Sequence, residues 1–141
     1  MGQIQRIQTL YLLLVSFLGG SLFTIPFAIA PQEQEGIFLD GLLNIHDHSG
    51  LMVMCVLIIV LSLVATFLYN NRVLQINLSK VNMLISSVLF IFAAYLYYAV
   101  KDNALISGGI LVPVIVVVLL FFANKNILKD EKLVRDSNRL R

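Results

Sequence analysis

The sequence is poor in charged residues, which make up only 13% of its 141 positions. Soluble domains carry about a quarter charged residues. Hydrophobic residues reach 59%, and the mean hydropathy is +0.90. A soluble core of this size would leave much of that apolar surface in water, so the composition excludes an ordinary soluble domain. The apolar residues also come in long runs, which indicates lipid as their solvent.

Cysteine is almost absent as well, since Cys55 is the single one in the chain. A lone cysteine excludes an intramolecular disulfide and a Cys-x-x-Cys redox pair. Membrane thiol oxidoreductases that pass electrons from a disulfide to a quinone are therefore excluded as a class. We expect Cys55 to behave as a small apolar residue within a helix.

Four apolar runs are each long enough to cross a hydrocarbon core of about 30 Å. They cover residues 10–30, 50–69, 81–100 and 104–123, and none contains Asp, Glu, Lys, Arg or His. The sequence therefore predicts an all-α polytopic membrane protein, with residues 1–141 forming a single four-helix bundle. Pro113 predicts a kink near the start of the fourth run.

The basic residues predict the orientation of these spans. Only Lys101 lies between the third and fourth runs; the other nine flank the runs on the opposite side. These nine are Arg6, Arg72, Lys80, Lys125, Lys129, Lys132, Arg135, Arg139 and Arg141. By the positive-inside rule these nine residues mark the cytoplasmic side, which places both termini in the cytoplasm. The first loop, with Glu33, Glu35, Asp40 and Asp47, would lie outside the cytoplasm.

Polar residues within the spans are few, and we expect them to serve packing. Ser16, Gly20 and Thr24 recur every four residues and predict the packing seam of the first helix. The only amide within the predicted spans is Asn82, near the start of the third. Carriers of ions or protons need ionisable groups inside the membrane, so this pattern disfavours a transporter.

The first loop carries two weaker signals. Asp40-Gly41 between apolar segments predicts a short β-hairpin, with a short interfacial helix as the alternative. His46 and His48 flank Asp47 and are weak candidates for a metal site. Two imidazoles supply only two ligands, so we expect a solvated loop, and we predict no cofactor.

Residues 125–141 carry six basic and three acidic residues with apolar residues between them. Their spacing predicts a cytoplasmic helical tail that continues the fourth helix. Two interpretations stay open: an anchor on anionic lipid headgroups, and a docking element for another protein or an RNA-rich surface. The candidate docking residues are Arg72, Lys80, Lys129, Lys132, Arg135, Arg139 and Arg141.

Three segments resemble a family of short membrane proteins from Bacteroidetes that is known as a domain of unknown function. They are residues 4–14 (IQRIQTLYLLL), 72–76 (RVLQI) and 129–135 (KDEKLVR), with 139–141 (RLR) closing the chain. Asn138 departs from the Asp that is more usual in the family. The resemblance implies a four-helix inner-membrane protein and no substrate, cofactor or catalytic residue.

Two function classes follow. The first is a non-enzymatic accessory or scaffold subunit of a larger inner-membrane complex, in protein export or envelope biogenesis. Its expected partners are the lipid bilayer and other inner-membrane proteins, such as a translocon-like or biogenesis complex, with no nucleic acid and with homo-oligomers left open. The second is a small carrier, pore or metal-handling protein that uses the periplasmic loop with His46 and His48.

Overall fold

A computed structural model describes residues 2–30, 40–99 and 104–139, and within these residues the chain is predominantly helical. The α-helices are α1 (Gly2–Ser21), α2 (Ser49–Phe67), α3 (Arg72–Ala99) and α4 (Val112–Arg139). Short strands are β1 (Ala28–Ile29), β2 (Leu42–Leu43) and β3 (Leu105–Ile106), and 3-10 turns cover Ile45–Asp47 and Gly108–Leu111. The predicted helical fold is confirmed.

Three helical segments are long and apolar enough to cross a membrane: Ser49–Phe67, Arg72–Ala99 and Gly108–Ser137. The apolar part of α1, Ile7–Ser21, is shorter. Helix α4 continues through the charged tail to Arg139, as the charge spacing predicts.

The first predicted run, residues 10–30, is not one helix, because α1 ends at Ser21. Pro26 lacks an N–H and restricts the residue before it, so a helix cannot continue through this position unperturbed. Upstream, the Ser21 hydroxyl donates to the Leu18 carbonyl (2.7 Å), and that of Thr24 donates to the Ser21 carbonyl (2.9 Å). The end of the run is the strand β1.

The three strands form a small antiparallel sheet in the order β2-β1-β3. Ala28 pairs with Leu43 on one side of β1 and with Ile106 on the other. Gly41, just before β2, has a φ of +72°, which favours glycine. Residues 42–43, in the second arm of the predicted hairpin, form β2 and pair with β1. The first arm, residues 36–39, lies outside the described residues, so the hairpin stays a prediction.

The helices pack in a ring in which α1 contacts α2, α2 contacts α3, α3 contacts α4 and α4 contacts α1. We call the end that carries the sheet the sheet end. The opposite end, with the α2–α3 turn at residues 68–71 and the last turns of α4, is the tail end. Beneath the sheet, Phe27, Leu43 and Ile45 are fully buried. The Tyr97 hydroxyl donates to the Ala104 carbonyl (3.1 Å) and ties β3 to α3.

Two local predictions are corrected. Pro113 is the second residue of α4, where its missing N–H needs no partner, so it starts the helix instead of kinking it. The seam of α1 runs through Gly19: a Cβ there would lie 2.8 Å from Cγ1 of Ile59, whereas one at Gly20 would meet nothing within 4 Å. The seam is therefore shifted by one residue from the predicted one.

Candidate functional site

The tail end is held together by an ion pair between α3 and α4. Arg72 Nη2 lies 3.2 Å from Asp130 Oδ2, and Arg72 Nη1 donates to the Asp130 backbone carbonyl at 3.1 Å. The guanidinium and the carboxylate are close enough to neutralise each other's charge, but they are not aligned as a hydrogen bond. The hydrogen bond of Arg72 goes to the backbone carbonyl of Asp130 instead. Only 19% of the Arg72 side chain and 8% of the Asp130 side chain are exposed. This pair fixes the charged part of α4 against the start of α3.

Beside the ion pair lies an open groove of about 600 Å³, here called the tail-end groove. Its lining is Tyr69, Asn70, Asn71, Arg72, Val73, Glu131, Val134 and Arg135. The groove exists because α4 extends past the α2–α3 turn and runs alongside it. It combines apolar surface with charges of both signs, which is typical of protein docking surfaces.

The structure brings only part of the predicted docking set together. Arg72 and Arg135 line the tail-end groove. Lys80, Lys129 and Lys132 are exposed on α3 and α4 without lining it. Arg139 is the last residue of α4, and Arg141 lies outside the described residues.

The two histidines of the sheet end have separate neighbours. The His46 ring lies against Phe23, with centroids 5.5 Å apart, whereas the His48 ring meets the edge of Phe92 at 4.8 Å. His48 Nδ1 also accepts from the Gly50 N–H at 3.1 Å and caps α2. Among the described residues, no group of three or more His, Cys, Asp and Glu side chains is placed to hold a metal ion. Glu33 and Glu35 lie outside those residues, so the metal hypothesis stays a prediction.

The carboxyl of Asp47, in the same loop, has a raised pKa. Burial raises the pKa of its carboxyl, and the nearby Asp40 adds to the rise. Hydrogen bonding from the Asn44 N–H to Oδ2, and the proximity of His46, act in the opposite direction. Burial is the largest of these effects.

A second feature lies inside the tail half of the bundle, where every helix buries at least one polar side chain. We call this set the polar layer, and its members are Gln8, Ser62, Gln75, Ser79, Asn82, Ser86 and Asn124. Four of them follow one stripe of α3 at positions i, i+4, i+7 and i+11. Such spacing keeps them on one helix face.

Hydrogen bonds place these residues at matching levels of the bundle. Asn82 Nδ2 donates to Ser62 Oγ at 2.7 Å, and Gln75 Nε2 donates to the Ala65 carbonyl at 2.9 Å, so both join α3 to α2. Asn124 Nδ2 contacts Met83 Sδ at 3.5 Å and joins α4 to α3. Helices α1 and α2 run antiparallel and contact each other where Cys55 meets Gly19. Gln8, three turns before Gly19 in α1, therefore lies in the half of the bundle nearer the tail end.

These bonds leave oxygen atoms without a protein donor. The buried oxygens with no hydrogen-bond partner in the layer are Gln8 Oε1, Gln75 Oε1, Ser79 Oγ, Asn82 Oδ1 and Asn124 Oδ1. Each such atom costs about 1–3 kcal/mol. Five together would cost as much as the whole stability of an ordinary domain, about 5–15 kcal/mol. Within the described residues, these five oxygens therefore have no hydrogen-bond donor.

The sheet half of the bundle has a different interior. There, Leu12, Val15, Ile58, Leu89 and Leu120 are fully buried or nearly so and pack into one apolar cluster. The polar layer is thus closed on its sheet side by packed hydrocarbon.

Sequence reasoning missed most of the layer because it stopped each span at the edge of the apolar run. Gln8, Gln75, Ser79 and Asn124 lie beyond those edges, while α1, α3 and α4 extend past them. The hydroxyls of Ser16, Ser62 and Ser86 each donate to the carbonyl four residues earlier in their own helix. Ser79 is the exception, and Asn82 is fully buried and joined to α2. The helical spacing of residues 75, 79, 82 and 86 was the feature of the sequence that could have predicted a buried polar face on α3.

A protein-family model matches residues 4–140, and its description is "Domain of unknown function (DUF4293)". No curated protein and no solved structure matches the chain.

Proposed function

Because the chain belongs to the DUF4293 family, whose description assigns no activity, we propose its function from the tail end: it is a non-enzymatic accessory or scaffold subunit of a larger bacterial inner-membrane complex. It crosses the membrane four times, with both termini and the tail end in the cytoplasm. The tail-end groove docks a partner membrane protein. Protein export and envelope biogenesis are the processes that fit this description.

The exposed faces of the helices support membrane insertion, including that of α1. Phe17 on α1, Phe67 on α2 and Ile91 on α3 are 75%, 76% and 65% exposed, outside an apolar interior that is already packed. A bundle that is apolar on its outside as well as its inside is typical of lipid as solvent. Helix α1 closes the ring between α2 and α4, so it shares their environment.

The observation that carries the docking proposal is the Arg72–Asp130 pair. A charged tail attached only by its peptide bond would move independently, but this pair holds α4 against the α2–α3 turn and shapes the groove. Interfaces favour Arg and Tyr next to apolar surface, and Tyr69, Val134 and Arg135 offer this combination. Attraction to anionic lipid headgroups alone would need only basic residues and no fixed groove.

The topology is tested with reporter fusions. Alkaline phosphatase, which is active only outside the cytoplasm, is joined after residue 70 or within residues 100–103. We expect activity from the second position only. Activity after residue 70 would contradict the orientation.

The docking function is tested by mild-detergent purification of tagged protein from its native membranes, followed by mass spectrometry. We expect a partner membrane protein at stoichiometric level with the wild type and its loss with Arg135→Glu. Lys125→Glu is the matched control, since it makes the same charge change on the same helix outside the groove. Equal retention by both variants, or recovery of the chain alone, would contradict the proposal.

A further inference from the structure

The tail-end groove carries one charge of each sign on its α4 wall. Glu131 and Arg135 both line the groove and stand one helical turn apart, so their Cβ atoms are about 5–6 Å from each other. Arg72 and Asp130 already neutralise each other. Within the described part of the chain, neither Glu131 nor Arg135 forms an ion pair. A partner in the groove therefore meets an uncompensated anion and an uncompensated cation.

Apolar surface lies beside these two charges. Val73 and Val134 line the groove, and Tyr69 adds an aromatic ring that is half exposed. A partner that covers this apolar surface also takes Glu131 and Arg135 out of water. Burying an unpaired charge is costly, whereas hydrogen bonds between ionised groups, such as Arg and a carboxylate, are among the strongest in proteins. A partner that closes the groove must therefore bring an opposite charge to each.

Two other occupants fail to satisfy both charges. An anionic lipid headgroup would pair with Arg135 but would be repelled by Glu131, and the two basic and two acidic charges around the groove cancel. A second copy of this chain, inserted in the same direction, would be related by a two-fold axis along the membrane normal. Such an axis brings equal levels of the two tails together, so Glu131 would face Glu131 and Arg135 would face Arg135. Both contacts are repulsive.

We propose that the occupant of the tail-end groove is a segment of a different membrane protein that presents an acidic side chain to Arg135 and a basic side chain to Glu131. These two side chains stand about one helical turn apart on the partner, with an apolar side chain between them against Val134. The inference rests on the proposed docking function and specifies the chemistry of the partner.

Reversing the order of the two charges tests this match. The groove swap combines Glu131→Arg with Arg135→Glu, which keeps the composition, the net charge and the spacing of the tail. The control swap combines Lys132→Asp with Asp136→Lys, at two exposed positions with the same spacing on the same helix outside the groove. The readout is the amount of partner membrane protein retained in mild-detergent purification from native membranes.

We expect the groove swap to reduce retention of the partner at least about tenfold, because each of its charges then faces a like charge. The control swap should retain the partner as the wild type does. Equal retention by both swaps would overturn the inference and leave the docking function intact. Recovery of the wild-type chain alone would overturn the docking function and the inference with it.

Zero-length coupling tests the acidic side chain directly. Arg135→Lys keeps the positive charge and provides a primary amine, which a carbodiimide condenses with a carboxylate in direct contact. We expect an adduct with the partner that is absent from the wild type and from Leu133→Lys, whose position is exposed outside the groove. Equal adducts from both lysine variants, or none from Arg135→Lys while the partner is still retained, would overturn the assignment of an acid opposite Arg135.

Discussion

The thiol of Cys55 donates to the backbone carbonyl of Gly19 across a Sγ···O distance of 3.1 Å, at the contact between α1 and α2. The approach is this close because Gly19 has no side chain and Ile59 fills the space beside it. A single glycine therefore sets the distance between two helices, and its neighbour Gly20 does not. The contact gives the lone cysteine a packing role.

This contact predicts opposite effects of alanine at adjacent glycines. In Gly19→Ala, the new Cβ would lie 2.8 Å from Ile59 Cγ1, so we expect a loss of about 1–2 kcal/mol in the free energy of unfolding. Gly20→Ala meets nothing within 4 Å and should be neutral or up to about 1 kcal/mol more stable, because alanine favours the helix. Denaturant unfolding in detergent measures both. Equal losses would show that α1 packs through a different face.

The Asn82–Ser62 hydrogen bond predicts that alanine at Ser62 and alanine at Ser86 lower the free energy of unfolding by different amounts. Both Ser62 and Ser86 are fully buried and donate to the carbonyl four residues earlier, but only Ser62 also accepts from Asn82. Ser62→Ala should therefore cost about 1–2 kcal/mol more than Ser86→Ala, since it weakens a buried amide. The comparison uses the same unfolding assay. Indistinguishable values would argue against the bond between α2 and α3.

Substitution of either member of the Arg72–Asp130 pair should release the tail. A double-mutant cycle with Arg72→Gln and Asp130→Asn should give a coupling energy of about 1–2 kcal/mol. Hydrogen exchange should accelerate in residues 128–137 and remain slow in residues 112–122 of the same helix. A coupling near zero, with protection of the tail unchanged, would show that other contacts hold α4 in place.

The raised pKa of Asp47 predicts a small pH dependence at the sheet end. A carboxyl whose pKa is higher in the folded than in the unfolded state stabilises the fold at low pH. That contribution is present below the unfolded pKa and is lost as the pH rises through the folded pKa. Asp47→Asn removes this titration, so its Tm relative to the wild type should increase between pH 4 and pH 7. A constant difference across this range would contradict the shift.

The sequence contained most of the helical architecture but not the ends of the helices. The run at residues 50–69 became α2 almost unchanged, because it contains neither a charged residue nor a proline that would end the helix early. Hydropathy marks only the part of a helix that suits lipid, so it missed the first turns of α3. The charged half of α4 was predicted from the spacing of its charges instead. It also merged α1 with β1, although Pro26 marked the break.

The site was less predictable because it depends on contacts between distant residues. Asp130 looked like one acid within a basic tail, and only the packing of α4 on α3 pairs it with Arg72, 58 positions away. Gln8 and Asn124 carry no local signal of burial. The stripe of residues 75, 79, 82 and 86 was readable as a periodic pattern, but its meaning required the other three helices.

Site-specific photo-crosslinking in native membranes tests the proposed docking function most directly. Benzoylphenylalanine is placed at Val134, which lines the tail-end groove, or at Leu133, an exposed neighbour outside it. The account predicts one dominant adduct with another membrane protein from position 134, absent from position 133 and lost when Arg135→Glu is added. No protein adduct at position 134, or the same adducts from both positions, would contradict it.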